Sequence, residues 1–292
     1  MCAGWHPLGR RKPREQHRCP HSISRPSTTT ASACRHAEHA ARWQAASAAY
    51  RQAAKGAELD LAYGPSERNR YDLFRAGDPK AALVVYIHGG YWQRGDRKDY
   101  SFLAKELNAA GIDVALPSYT LCPAASVMDI IGELRACLIA IWRKTGKHPV
   151  VTGHSAGGHL TGAMVATDWS KVADAPADLV RAGVPISGVF ELEPLIPTSI
   201  NDLVGLDAAA ARAASPLLWP PPPKSRRLVA AVGGDESSEF LRQSRVIAEA
   251  WAKAGLETEC LVVPGTNHFS VVDELAKPGS ALFGAVVRLA RD

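Results

Sequence analysis

Cysteine and methionine are scarce in this sequence, at 6 and 3 of 292 residues, and no two cysteines form a C-x-x-C pair. Redox dithiols and the common zinc spacings are thereby excluded. Cys2, Cys19 and Cys34 lie near the N-terminus and Cys122, Cys137 and Cys260 in the body. Without a secretory signal they are expected to be free, mostly buried thiols. No stretch reaches the roughly 18 uninterrupted apolar residues of a membrane helix. The N-terminus also lacks the apolar run of a signal peptide, so the expected compartment is the cytoplasm. Repeats are missing, and the one biased run, Pro220 to Pro223, reads as a stiff loop.

Acidic residues are nearly absent from the first 36 positions. There Arg10, Arg11, Lys12, Arg14, Arg18, Arg25 and Arg35 face Glu15 alone, a local charge of +6 that leaves −1 for the rest of a chain whose total is +5. The basicity thus belongs to a leader, 1–36, expected to be disordered, with a targeting or anionic-surface role as the alternative. With its net −1 the remainder lends no support to a basic face for phosphates, which argues against nucleic acid as a partner. The partner expected is a small-molecule substrate, without cofactor, metal or membrane; a homodimer stays open.

What is present is an alternation of strand-like and helix-like segments over 37–292, read as a single domain. An alanine-rich stretch from about Ala37 to Lys55, with Trp43 and Tyr50, predicts a helix packed on the outside. Arg70 to Phe74 alternates like a half-exposed antiparallel edge strand, and Ala82 to Ile87 is continuously apolar, as burial on both faces demands. Helices are expected near 98–110, 126–143, 156–168, 238–254 and 280–291, with strands near 112–116, 149–153, 182–186, 227–232 and 257–263. This order predicts an α/β fold, a mostly parallel central sheet flanked by helices. The proline-rich interval of about 190–223 breaks the rhythm and is expected as a short lid-like insertion above the carboxyl edge of the sheet.

The segment Gly153-His154-Ser155-Ala156-Gly157 stands between a strand and a helix. A serine at such a turn is held in a strained conformation that pushes its hydroxyl over the sheet edge, where it can attack a carbonyl. It needs a base and an orienting acid. His268 follows the last strand, and Asp235 follows the strand ending at Val232, with Glu236 as the competing acid. Asp235 would fix the imidazole and His268 would take the proton from Ser155. His88, His154 and His159 are explained by backbone geometry and packing. In Tyr86-Ile87-His88-Gly89-Gly90-Tyr91-Trp92, a buried strand opens into a glycine pair. The N–H groups around Gly89, Gly90 and Tyr91, with that of Ala156, suit a developing oxyanion. Tyr91, Trp92, Phe190, Trp219 and Phe269 are candidates for an aromatic-accepting pocket, each with core or lid packing as the alternative. Arg94 is either a carboxylate partner or a plain surface arginine.

These residues resemble the α/β-hydrolase superfamily. In particular, His88-Gly89-Gly90-Tyr91-Trp92 is similar to the H-G-G-x-W signature of kynurenine formamidases, also called arylformamidases. The similarity extends to Gly153 through His159 and to Ser187-Gly188-Val189-Phe190-Glu191-Leu192-Glu193-Pro194-Leu195, and covers the chain from about Leu59 onward. The resemblance implies metal-independent hydrolysis of N-formyl-L-kynurenine by a Ser155, Asp235, His268 triad. The alternatives are a short-chain carboxylesterase and a non-catalytic binding protein that kept the fold.

Overall fold

The computed structural model describes Met1 and residues 30–292. Expected leader disorder therefore falls largely on residues outside those described, except that helix α1, Thr30–Ala53, already begins within the segment 1–36.

Eight strands form one sheet in the order β1-β2-β4-β3-β5-β6-β7-β8. They are β1 (Glu58–Ala62), β2 (Arg70–Phe74), β3 (Ala82–Ile87), β4 (Ile112–Pro117), β5 (Val150–His154), β6 (Ala182–Ile186), β7 (Arg227–Gly233) and β8 (Glu257–Val263). β2 runs antiparallel to both β1 and β4, and every other pairing is parallel. Between strands stand the helices α2 (Leu103–Ala109), α3 (Val127–Thr145), α4 (Ala156–Ala166) and α7 (Ser238–Lys253), and α8 (Ser270–Glu274) and α9 (Ala281–Arg291) follow β8. Helix α3 starts at a Ser126/Asp129 capping box and stops at Gly146 in the left-handed conformation, so both ends are written in the sequence.

Strand alternation divides the core into two layers. Leu83, Val85 and Ile87 of β3 face a cluster that includes α3, α4 and Trp251 of α7. Val84 and Tyr86 face the other, with Trp43 of α1, Leu103 and Leu107 of α2, and Val286 and Leu289 of α9. Parallel strands covered on both faces are mostly apolar, which is why β3 reads as a continuous run; the buried Asp113 of β4 and Thr152 of β5 are partnered, with Lys147 and Val184 O.

Two expectations are corrected. β2 is buried and lies between two strands rather than at the edge; the edge is β1, whose Glu58-Leu59-Asp60-Leu61 alternation carries the half-exposed pattern. The helix expected from 98 opens instead as a 3₁₀ turn, Arg97–Tyr100, before α2 begins. The excursion at 190–223 carries two short helices, α5 (Asn201–Val204) and α6 (Ala208–Ala213). It is packed down: Leu192, Leu206 and Ala211 join the core of α3 and α4, and the Gln93 side chain donates to Ile200 O at 2.6 Å.

Candidate active site

Ser155 joins β5 to α4 with φ 57° and ψ −115°, the strained turn its flanking glycines predict. Those glycines are needed for close approach. A Cβ on Gly157 would stand 2.0 Å from Ile87 O, and one on Gly153 would stand 2.5 Å from the same oxygen. Ser155 N donates to Ile186 O at 2.9 Å, which ties the turn to the end of β6. As the first residue of α4, Ala156 presents an N–H that the helix itself leaves unsatisfied.

The turn after β3 faces Ser155. Gly89 and Gly90 line the same cleft as Ser155 and His268, a space of about 210 Å³. Gly90 has φ 112°, and a Cβ there would lie 2.2 Å from Arg94 O, so no other residue fits. His88 is neutral and structural. Its Nδ1 donates to Gly89 O at 2.8 Å, its ring stacks on Tyr119 at 4.4 Å, and burial pushes its pKa down to about 4.

His268 sits on the loop after β8, its ring between His154 (centroids 4.5 Å apart) and Phe240 (4.3 Å). The acid at its Nδ1 is Glu236, whose Oε2 accepts at 2.6 Å. Asp235, the acid expected from the sequence, is exposed and lines a neighbouring cleft. The turn explains the change of one residue. Gly234 N and Asp235 N bond to Val263 O and Thr266 O, which fixes the backbone beside the His268 loop. The longer Glu236 side chain folds back beneath it, and Glu236 Oε1 accepts from Gly233 N at 2.7 Å and Ser187 Oγ at 2.5 Å. This carboxylate is fully buried and has a donor at each oxygen.

Of the aromatic candidates, Tyr91 and Phe269 line the cleft, while Trp92 and Phe190 do not. Tyr91 and Trp92 both have left-handed backbones, φ 56° and 59°; the first side chain reaches the cleft and the second enters the core, edge-on to His159 at 5.1 Å. Phe190 is buried in a slot left by the missing Cβ atoms of Gly162 and Gly188. Trp219 donates to Ala213 O within the excursion. Arg94 is exposed at the cleft mouth, its guanidinium 5.2 Å from the Tyr91 ring centroid.

One wall was not foreseen. Ala40, Trp43 and Gln44 of α1 line the cleft opposite the glycine turn, so the helix expected on the outside borders the site. It is clasped there by Asp273 of α8, which accepts from Trp43 Nε1 at 2.7 Å and from Arg42 at 2.6 Å. A lone tryptophan in an alanine-rich helix was the available signal.

A strained serine turn after β5, a histidine loop after β8 and a buried acid after β7, all at one end of this sheet, define a class. The chain belongs to the α/β-hydrolase superfamily. Residues 72–180 match the BD-FAE family model. Kynurenine formamidase of Danio rerio is 28% identical over 227 residues, covering 74% of this chain and 76% of that one. The Salmo salar kynurenine formamidase is also 28% identical, over 228 residues. Among solved structures, a Silicibacter protein assigned provisionally to the thioesterases is 33% identical, with a TM-score of 0.78 over 88% of this chain and 94% of its own. Esterase B of Lactobacillus rhamnosis shares the fold at 19% identity, TM-score 0.69, covering 89% of this chain and 93% of its own. The protein is accordingly a hydrolase of formamidase or esterase type. Among the described residues, no helix is long and apolar enough to cross a membrane.

Proposed function

We propose that the protein is a serine hydrolase that cleaves an aryl formamide such as N-formyl-L-kynurenine, giving kynurenine and formate through an acyl-enzyme. The observation that carries this reading is the hydrogen bond from His268 to the buried Glu236, at 2.6 Å, with His268 in one cleft with a strained Ser155. Glu236 accepts from Nδ1, which leaves Nε2 unprotonated and able to take the Ser155 proton. Ser155 Oγ then attacks the formyl carbon, and the carbonyl oxygen becomes an oxyanion beside the N–H groups of Gly90, Tyr91 and Ala156. Each such donor is worth roughly 3 kcal/mol at the transition state. His268 returns the proton to the departing aryl amine, and water repeats the cycle on the formyl-enzyme.

The formamide is favoured over other acyl substrates by the kynurenine formamidase relatives and by a small cleft walled by Trp43, Tyr91, Tyr100 and Phe269. Formyl is the smallest acyl group, and a flat aryl leaving group suits aromatic walls. The second reading, a short-chain carboxylesterase, draws on the solved Silicibacter relative that is assigned provisionally to the thioesterases. The two are separated by comparing N-formyl-L-kynurenine with p-nitrophenyl formate, acetate and butyrate. Formylkynurenine turnover, with kcat/KM falling more than about tenfold from formate to butyrate, is expected and would place the enzyme in tryptophan breakdown. A flat ester series without formylkynurenine turnover overturns the formamidase reading.

A further inference from the structure

Ser187 is the first residue after β6, and three observations about it have no part in the chemistry so far described. Its backbone is left-handed, with φ 50°, although it is not glycine. Its side chain is fully buried. Its hydroxyl donates to Glu236 Oε1 at 2.5 Å, among the short hydrogen bonds of the protein. A left-handed serine costs on the order of 1 kcal/mol, which glycine would avoid. Gly188 follows immediately, so a glycine at this bend is no foreign element.

The neighbourhood says what the hydroxyl does. Ser187 N is anchored on Ala231 O at 2.8 Å, and the preceding Ile186 O accepts from Ser155 N at 2.9 Å. The bend therefore stands between the nucleophile turn and the acid. Glu236 reaches back from the far side of its turn on a flexible side chain, and one of its oxygens must face His268. Gly233 N and Ser187 Oγ both donate to Oε1 and leave Oε2 for Nδ1. With Oε1 held from two directions the carboxylate plane cannot rotate without giving up a buried hydrogen bond to a charged group.

We infer that Ser187 is a positioning residue for the reaction: its hydroxyl locks the Glu236 carboxylate in the rotamer that orients His268, and the strained backbone serves to aim that hydroxyl. This rests on the serine-hydrolase reading above. The Ser187 hydroxyl is bonded to Glu236, so its effect on the reaction runs through that carboxylate.

The test uses the full chain with p-nitrophenyl acetate and the variants Ser187→Ala, Ser187→Gly, Glu236→Gln, Ser187→Ala/Glu236→Gln and Ser155→Ala, each checked by thermal melting. Alanine keeps the left-handed strain and loses the hydroxyl; glycine loses both. Both are expected to lose roughly ten- to a hundredfold in kcat with KM unchanged, and the double variant is expected to match Glu236→Gln alone. If alanine compromises folding, glycine, which relieves the strain, carries the comparison. Glycine turning over at the wild-type rate would overturn the inference, as would a serine effect that persists in full in the Glu236→Gln background. Ser155→Ala separates the two levels. An inactive Ser155→Ala beside fully active Ser187 variants overturns the positioning role alone. Undiminished turnover by Ser155→Ala removes the reading beneath it.

Discussion

Replacing Glu236 by glutamine changes one buried group and almost no volume, so its consequence follows from hydrogen bonding alone. The carboxylate accepts from Gly233 N and Ser187 Oγ on one oxygen and from His268 Nδ1 on the other. An amide has a single oxygen. If the oxygen stays with Gly233 and Ser187, its NH₂ faces Nδ1, which must then become the acceptor, and Nε2 is already protonated and cannot take the proton from Ser155. If the amide flips, two donors face its NH₂ inside the protein, at a cost of roughly 1–3 kcal/mol for each group left unpaired. The wrong tautomer in an equivalent triad costs about 10⁴ in kcat, so a loss of roughly 10³–10⁴ is expected for Glu236→Gln. Asp235→Asn, exposed in the neighbouring cleft, is expected to keep kcat within about threefold. Steady-state hydrolysis of p-nitrophenyl acetate by both folded variants reads the difference. A severe loss in Asp235→Asn with an active Glu236→Gln would refute the assignment.

Three further outcomes follow from the packing. Burial holds His88 and His159 neutral, with pKa values pushed down to about 4 from 6.5; between those values the unfolded chain binds protons that the folded one refuses. Stability should therefore be full above about pH 6.5 and fall as pH drops toward 4, by roughly 3 kcal/mol for each histidine, and urea unfolding that is flat from pH 7 to 4.5 would contradict this. Gly157→Ala places a methyl 2.0 Å from Ile87 O, so α4 must shift; a loss of roughly 3 kcal/mol, or on the order of 5–10 °C in Tm, is expected by calorimetry. Asp273→Ala leaves Trp43 Nε1 without its acceptor and should loosen α1, seen as faster amide exchange over residues 40–50 and a several-fold higher KM for aryl substrates; unchanged exchange would show that the clasp is idle.

The central strands β3 and β6 were legible because burial on both faces writes mostly apolar runs, while the half-exposed edge strand β8 was read from its place between two helices. The turns at Ser155 and at Gly89-Gly90 could be anticipated because strained or left-handed backbone there admits few residue types, and His268 because it follows the last strand at the same sheet edge. Three features were not. The choice between Asp235 and Glu236 depends on how one turn folds against the Thr266 loop, a contact between distant segments. Trp92 and Phe190 carry the composition of a pocket but the contacts of a core, which depend on the left-handed pair at 91–92 and on the bare faces of Gly162 and Gly188. The role of α1 was hidden because its weak amphipathicity gives no face, and a single tryptophan and a distant aspartate dock it.

The most direct test of the account is whether Ser155 forms a covalent bond. Wild-type protein and Ser155→Ala would be treated with a fluorophosphonate, weighed intact, digested and mapped. A single adduct on the Ser155 peptide of the wild type, absent from a folded Ser155→Ala, is the predicted result. An unmodified wild type, or equal labelling of Ser155→Ala, would contradict the nucleophile on which the proposed reaction depends.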